Sequence, residues 1–183
     1  FDSETVAETI KSLMEKAGYT KNSKGIYQKD GHVCKYTFTI AGEETDHPAF
    51  DAMWHAMELL NKAGFSINVT TDANALKKLS EGSLTVWAAA WGSTIDPDMY
   101  QVYHKNSSAS SVYAWGYREI LNTSDSRYEY ERGVIDELSE IIDEARSIMD
   151  KEERIPMYEE AMQLVLDLAV EMPVYQRKNL YAY

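Results

Sequence analysis

The residue types that bind metals or act as nucleophiles are few and widely spaced in this 183-residue chain. No pair of histidines has the four-residue spacing of a helical zinc site; the four are His32, His47, His55 and His104. The one cysteine, Cys34, falls on the apolar face of a strand-like run, where a thiol behaves as a small hydrophobe. The sequence also has no Gly-x-Ser-x-Gly turn and no Gly-x-x-x-x-Gly-Lys phosphate loop. We therefore predict no metal, no cofactor and no covalent catalysis, with histidines that are solvated or cap helices.

Two carboxylates do stand close together, in the run Asp96-Pro97-Asp98. Glycoside hydrolysis uses a pair of carboxylates on either side of its substrate. The same run is typical of a helix start, because Asp is favoured at the cap and Pro at the first helical position. We expect Asp96 to cap a short helix over 98–104, and a hydrolase acting on peptides or glycans remains the alternative.

Aromatic side chains dominate the remaining chemistry, with 13 tyrosines and 4 tryptophans. Many cluster in one stretch: Trp87, Trp91, Tyr100, Tyr103, Tyr113, Trp115 and Tyr117. Aromatic residues with polar tips can stack on a flexible ligand while hydrogen bonding to it, but they also build cores and protein-interaction surfaces. Trp91 ends an apolar run, and ligands gather beyond the carboxyl ends of strands in open α/β sheets. The sequence leaves pocket, core and interaction surface open for this cluster.

The first half of the chain carries the strands that would position these residues, in the order helix, hairpin, helix, strand, helix, strand. Asp30-Gly31 predicts the hairpin turn, and the alternation over 33–41 predicts that the second arm is one half-buried strand. The apolar run over 84–91 predicts a strand in the middle of a sheet. Asp72 is placed to cap the third helix.

The second half is typical of helices. Val134, Leu138 and Ile142 mark an amphipathic helix, and Asp150 should cap the next one, with a kink or a late start at Pro156. The whole pattern favours an α/β (α+β) fold, a mixed β-sheet covered by helices, formed as one domain over 1–183.

The charge balance excludes some partner classes. Eighteen basic against thirty acidic side chains give a net charge of −12, which repels nucleic acids and anionic membrane surfaces. No apolar run approaches the roughly 20 residues that a membrane-spanning helix needs. We therefore predict no nucleic-acid partner.

An ordered set of motifs runs along the chain. Trp91-Gly92 is followed closely by Asp96-Pro97-Asp98 and Tyr100. Further motifs follow in order: Ile135-Asp136-Glu137-Leu138, Glu144-Ala145-Arg146, Asp150, Glu153-Arg154, Tyr158, Glu160-Ala161 and Glu171-Met172-Pro173-Val174-Tyr175. The set resembles that of the peptide/nickel-type (family 5) extracellular solute-binding proteins, which are the receptors of dipeptide and oligopeptide ABC importers. The stretch 7–19 resembles the helix that opens one of their lobes, so the resemblance covers nearly the whole chain.

The resemblance implies that residues 1–183 form the C-terminal-side ligand-binding lobe of a two-lobed, periplasmic-binding-protein-like receptor. Residues 174–183 would return toward the hinge and the missing first lobe, and the start at Phe1 without a signal peptide fits an excised piece. It further implies a non-enzymatic, extracytoplasmic protein, either a cell-surface lipoprotein or periplasmic. Such a receptor passes its solute to the membrane permease of an ABC importer and needs no cofactor.

The strand-end position and the resemblance together predict the ligand contacts: Trp91, Gly92, Ser93, Thr94 and Tyr100. Many peptide-binding members carry an acid shortly after the position of Trp91 and a tryptophan at the position of Asp72. This chain departs from both patterns, so the ligand class stays open among oligopeptides or dipeptides, sugars, nickel and other solutes. A hydrolase domain and a protein-interaction domain remain the alternatives from other classes.

Overall fold

A computed structural model describes residues 2–43, 48–90, 98–109, 112 and 115–174. The backbone contacts divide the chain into two compact units, Phe1–Gly92 and Ser93–Tyr183. Each unit is described by itself. The single domain over 1–183 and the return segment 174–183 stay predictions, since residues 175–183 lie outside the described part of the chain.

The first unit opens with α1 (Ser3–Lys16), whose predicted ends are confirmed. The Asp2 carboxylate accepts hydrogen bonds from the N–H groups of the first helical turn, and Gly18 adopts a φ of 81° just beyond the last turn. The predicted apolar stripe of α1 is only partly buried, however: Val6, Ile10 and Met14 are half-buried, and Leu13 is 61% exposed. Helix periodicity thus predicted the helix correctly, but it did not predict how far the apolar face of the helix is buried.

Three short antiparallel strands follow: β1 (Thr20–Lys21), β2 (Tyr27–Lys29) and β3 (His32–Val33). Asp30 and Gly31 join β2 to β3 with φ angles of 50° and 81°. Positive φ at both central residues is what a type I′ turn requires, so the predicted hairpin is confirmed.

A separate parallel sheet is formed by β4 (Lys35–Ala41), β5 (Ser66–Asp72) and β6 (Val86–Ala88), in the order β5-β4-β6. The prediction of one strand over 33–41 is therefore wrong, because the run breaks at Cys34. The Cys34 N–H bonds to the carbonyl of Tyr27 in the hairpin, and its own carbonyl accepts from the N–H of Ser66. Side chains alternate in the same way on both sides of this break, so the period of two could not reveal it.

The prediction that the apolar run over 84–91 lies in the middle of a sheet is also wrong for the described residues. β6 takes only 86–88 of that run, lies at the edge of the sheet, and its residues are half-buried. The apolar character has another cause, since Leu84, Trp87 and Ala88 line an apolar cleft together with Leu76 and Leu79 of α3 (Ala75–Ser80).

Two helices connect the parallel strands. α2 (Pro48–Ala63) joins β4 to β5. The Asn61 side chain attaches α2 to the sheet, because it accepts from the N–H of Ile67 at 2.7 Å and donates to the Ile67 carbonyl at 3.0 Å.

Asp72 does not cap α3, contrary to prediction. It ends β5, accepts from the Asn74 N–H at 2.8 Å and forms an ion pair with Lys78.

The described part of the second unit is helical: α4 (Tyr100–Tyr103), α5 (Tyr117–Asn122), a 3₁₀ turn (Ser126–Tyr128), α6 (Glu129–Ser147) and α7 (Lys151–Leu168). Its core lies between α6 and α7, where Leu138, Ile142 and Ala161 are fully buried. Burying a Leu or Ile side chain contributes roughly 1.5–3 kcal/mol. The apolar stripe predicted for α6 is thus confirmed.

Asp150 caps α7 as predicted, accepting from the N–H groups of Glu152 and Glu153. Of the kink or late start expected at Pro156, the late start is wrong, because the capped helix already begins at Lys151 and contains Pro156. The α/β class with helices covering the sheets is confirmed, and the strands divide between an antiparallel and a parallel sheet. None of the helices in the described ranges is both long and apolar enough to cross a bilayer.

Candidate functional site

Four of the five predicted ligand contacts lie outside the described residues: Trp91, Gly92, Ser93 and Thr94. Asp96 and Pro97 lie outside them too. Tyr100, the fifth predicted contact, is the first residue of α4. The described part of the predicted site therefore centres on Tyr100 and the residues that hold it.

The ring of Tyr100 packs against two groups of its own unit. The imidazole of His104 stacks on it with ring centres 4.2 Å apart and planes inclined by 17°. The guanidinium carbon of Arg146 lies 4.4 Å from the ring centre, within the range of a cation–π contact. The Tyr100 hydroxyl, by contrast, has no hydrogen-bond partner in the described part of the chain. The hydroxyl is thus better placed than the ring to meet a ligand.

Asp98 ties the start of α4 to the same arginine. Its Oδ1 accepts from the Tyr100 N–H at 2.9 Å, and its Oδ2 lies 3.2 Å from Nε of Arg146. Both carboxylate oxygens are therefore occupied by the chain itself. This is the helix-start role that the sequence assigned to the neighbouring Asp96.

One face of α6 contacts several residues of the segment 98–105. Its polar residues recur at helical spacing, each directly after a residue of the apolar stripe: Asp136, Ser139, Asp143 and Arg146. The Asp136 carboxylate lies 2.6 Å from Nζ of Lys105, and the Ser139 hydroxyl accepts from the Lys105 N–H at 3.2 Å. We call these four residues the polar face of α6. They hold the backbone and the side chains that follow Tyr100.

His104 is the buried member of this arrangement, with 2% of its surface exposed. Its Nδ1 accepts from the Asn106 N–H at 3.0 Å, and its Nε2 lies 3.2 Å from Oδ2 of Asp143. One accepting and one donating nitrogen is the pattern of a neutral imidazole with its proton on Nε2. His104 lies at the end of α4, but its side chain bonds to Asn106 and Asp143 and not to α4, and it is buried, so the prediction of a solvated or capping histidine is wrong here.

Tyr103, Trp115 and Tyr117 form a second aromatic group. The rings of Tyr103 and Trp115 stack 5.3 Å apart, and those of Trp115 and Tyr117 lie 5.8 Å apart. Tyr103 donates to a Glu171 carboxylate oxygen at 2.7 Å, and burial together with this bond raises the pKa of Tyr103. Burial also raises the pKa of Tyr117, which is 1% exposed. Of the three roles left open for this cluster, core packing is the one these residues take.

The second unit also has a polar depression of about 300 Å³, lined by Lys105, Asn106, Ser107, Arg118, Leu121 and Asn122. Two of the lining side chains are cationic, in a protein of net charge −12. The Lys105 ammonium is already paired with Asp136. The lining of the depression is therefore characterised by hydrogen-bonding groups rather than by a large net positive charge.

Within the described ranges, no three His, Cys, Asp or Glu side chains gather in a way that could hold a metal ion. Cys34 is 2% exposed, and burial raises the pKa of its thiol, which keeps it protonated at neutral pH. Its strand neighbour Tyr36 hydrogen bonds to Nε2 of His32 at 2.7 Å. The Cys34 environment is that of a structural thiol and not of an activated nucleophile.

Comparison with known proteins finds similarity in fold and not in sequence. No protein-family model matches the chain, and no curated protein matches it. Among solved structures, the oligopeptide-binding protein AppA from Bacillus subtilis, in complex with a nonapeptide, matches 89% of the chain with a TM-score of 0.68 and 18% identity. NikZ from Campylobacter jejuni, in complex with Ni(L-His), matches 90% with a TM-score of 0.63 and 18% identity. A nickel ABC transporter protein from Bacillus halodurans matches 90% with a TM-score of 0.59 and 19% identity.

The chain spans only about 30% of the length of these solved structures. The likeness thus extends over nearly all of this chain but over a minor part of each neighbour. The chain has an α/β fold that matches one lobe of the periplasmic-binding-protein-like fold of these peptide- and nickel-binding proteins, which confirms at the level of fold the resemblance carried by its motifs.

Proposed function

We propose that the chain is the ligand-binding lobe of an ABC-importer substrate-binding protein, and that its ligand is an oligopeptide or dipeptide. The observation that carries the proposal is the likeness in fold to solute-binding proteins over 89–90% of the chain. The neighbours hold a nonapeptide in one case and a nickel–histidine complex in another. The hydroxyl of Tyr100 suits a peptide, because a peptide backbone offers N–H and C=O groups for it to pair with.

The lobe would bind its ligand without changing it. A ligand held between two lobes stabilises their closed arrangement, and opening at the permease releases it. Trp91, Gly92, Ser93, Thr94 and Tyr100 would provide the contacts from this lobe. The contacts of Asp98 with the Tyr100 N–H and with Arg146 give this carboxylate a structural role at the start of α4 that requires no catalysis.

The proposal includes an extracytoplasmic setting, as a periplasmic protein or a cell-surface lipoprotein that delivers its solute to a membrane permease. Globomycin treatment, which blocks lipoprotein processing, would separate the lipoprotein from the periplasmic form by the mobility of the native protein.

Calorimetry on the native protein that contains this chain tests the ligand class. The titrants are an equimolar nonapeptide mixture, a dipeptide mixture and Ni(II)–L-histidine. We expect heat of binding with a peptide mixture, and a rise in melting temperature that corresponds to about 2.7 kcal/mol when the free ligand is at 100 Kd. Binding of the nickel complex alone would overturn the peptide assignment, and no binding of any titrant would overturn the receptor proposal for these solutes.

The 183-residue chain alone should bind the same peptides weakly or undetectably, because it supplies only one side of the proposed cleft. Tight binding by this chain alone would contradict the two-lobed arrangement. A protease or glycosidase assay on the native protein, with Asp96→Ala and Asp98→Ala as variants, addresses the hydrolase alternative. Activity that both substitutions abolish would replace the receptor proposal.

A further inference from the structure

Arg146 occupies a particular place in the second unit. Its side chain reaches from the last turns of α6 to the first residues of α4, where it meets both the Tyr100 ring at 4.4 Å and the Asp98 carboxylate at 3.2 Å. Asp98 in turn accepts from the Tyr100 N–H. The three residues therefore close a loop of contacts, in which one guanidinium sets both the backbone and the ring of Tyr100.

The Arg146 contact is the last of a series of contacts between the polar face of α6 and the segment 98–105. Asp136 and Ser139 hold Lys105, Asp143 holds His104, and Arg146 holds Tyr100 and Asp98 in turn. Successive residues of the polar face of α6 thus contact successively earlier residues of the segment 98–105, so the two segments are antiparallel. α4 has only four residues, too few to be stable by itself, so its position depends on this face and on core contacts.

The Tyr100 ring is half-buried, and His104 stacks on it 4.2 Å away. A ligand could stack on the ring surface that His104 and Arg146 cover only by displacing one of them. Its hydroxyl lies at the far end of a ring that is held by two planar groups. Such a hydroxyl is pre-organised, and a pre-organised donor costs less ordering entropy on binding than a mobile one.

We propose that Arg146 is a positioning residue, which holds Tyr100 so that its hydroxyl, and not its ring face, hydrogen bonds to the ligand. The proposal rests on the receptor function above and specifies how one of its contacts is made. It also predicts a preference for ligands that carry a hydrogen-bonding group, such as a peptide amide or carboxylate, at that point.

The chain contains a matched control in Arg127. This arginine also pairs with a carboxylate, that of Asp125 at 2.7 Å, and its guanidinium carbon lies 5.7 Å from the centre of the Tyr128 ring. Arg146→Gln and Arg127→Gln each remove a positive charge, an ion pair with a carboxylate and a ring contact from the same unit. They differ in whether the ring concerned is that of Tyr100.

A ligand-free measurement tests the positioning step. The chain is labelled with 3-fluorotyrosine, and Tyr100→Phe identifies the Tyr100 signal in its fluorine NMR spectrum. We expect Arg146→Gln to move that signal, Arg146→Lys to move it part of the way because it keeps only the charge, and Arg127→Gln to leave it in place. A Tyr100 signal that ignores Arg146→Gln overturns the positioning role, whether or not the protein is a receptor.

A binding measurement tests the hydroxyl contact in the native protein, with the nonapeptide mixture and Ni(II)–L-histidine as probes. Tyr100→Phe keeps the stacked ring, and we expect it to weaken peptide binding roughly tenfold, with Arg146→Gln similar and Arg127→Gln within about twofold. Full affinity in Tyr100→Phe overturns the hydroxyl contact, and full affinity in Arg146→Gln overturns the need for positioning. If the wild type binds neither probe, the ligand contact falls with the proposed function, and the fluorine signal alone decides the role of Arg146.

Discussion

Replacing Tyr117 by Phe should stabilise the second unit. The side chain is 1% exposed, and its hydroxyl has no hydrogen-bond partner among the described residues. A buried hydroxyl without a partner costs about 1–3 kcal/mol relative to one that stays in water. Phenylalanine keeps the ring contact with Trp115 and removes that cost. We expect a gain of about 1–2 kcal/mol, which for a domain of up to ~100 residues raises the melting temperature by about 4 °C or more.

The same substitution at Tyr103 serves as the matched control, because the sign should reverse. The Tyr103 hydroxyl donates to the Glu171 carboxylate at 2.7 Å. Hydrogen bonds to charged groups contribute about 1.5–3 kcal/mol when buried, and the half-buried position of Tyr103 lowers this to about 1 kcal/mol. Tyr103→Phe and Tyr117→Phe thus remove the same atom from one aromatic group with opposite expected effects.

Native-state hydrogen exchange is the appropriate assay, because the chain has two compact units and need not unfold in one step. The amides of Leu138 and Ile142, whose side chains are fully buried in the second unit, report its opening free energy. Tyr117→Phe should slow their exchange, and Tyr103→Phe should speed it. If Tyr117→Phe destabilises as much as Tyr103→Phe, its hydroxyl has a partner outside the described residues and the reasoning is refuted.

Substitutions at three further features test the local structure. Gly133→Ala within α6, where an added Cβ meets nothing within 4 Å, should stabilise the second unit by about 0.5–1 kcal/mol. Gly64→Ala should destabilise the first unit, because φ is +121° and the added Cβ would lie 2.7 Å from the Lys21 side chain. Native-state hydrogen exchange that gives the two substitutions the same sign would contradict this. Asp150→Ala should cost about 1 kcal/mol of cap energy in the same assay and Asp150→Asn far less, so equal losses would rule out capping as the cause. Hydrogen bonds from the Arg127 side chain and backbone lower the pKa of Asp125 from 3.8 to about 2, so its stabilising contribution is complete above the ordinary value and is lost as the pH falls through about 2. NMR titration of that carboxyl should shift toward 3.8 in Arg127→Gln, and an unchanged midpoint would exclude the arginine as the cause.

Local signals predicted the local features. Asp2, Asp150 and the Asp30-Gly31 turn behave as expected, because a cap or a two-residue turn is decided by atoms within a few residues of one another. The apolar stripe of α6 was also found, since a helix face that repeats over 19 residues has one dominant packing solution.

Local signals did not predict which distant strand, helix or side chain a given segment contacts. The run over 33–41 alternates without interruption, yet Cys34 divides it between two sheets, because the partner strands lie elsewhere in the chain. The apolar run over 84–91 indicates burial, but an edge strand that lies against apolar helix residues is also apolar. Asp72 is of a residue type that is favoured at helix caps, but it ends β5, where its carboxylate forms an ion pair with Lys78.

The candidate site shows the same division. Tyr100 could be singled out from its position after the strand-end run, and the contacts at Trp91, Gly92, Ser93 and Thr94 stay predictions. The arrangement that holds Tyr100 was missed, although a signal exists: each polar-face residue of α6 directly follows a residue of the apolar stripe. That signal shows which side of α6 lies next to the core but not which segment it meets.

The sequence by itself determined the class of fold, the caps at Asp2 and Asp150, the hairpin turn at Asp30-Gly31 and the apolar stripe of α6. These follow from short-range sterics, capping and hydrophobic periodicity, which depend on residues close in the chain. Only the tertiary structure decided which strand lies in the middle of the parallel sheet and which aromatic rings are core. It alone showed that Arg146 meets Tyr100 across 46 residues of chain, because contacts between distant segments depend on how whole elements pack.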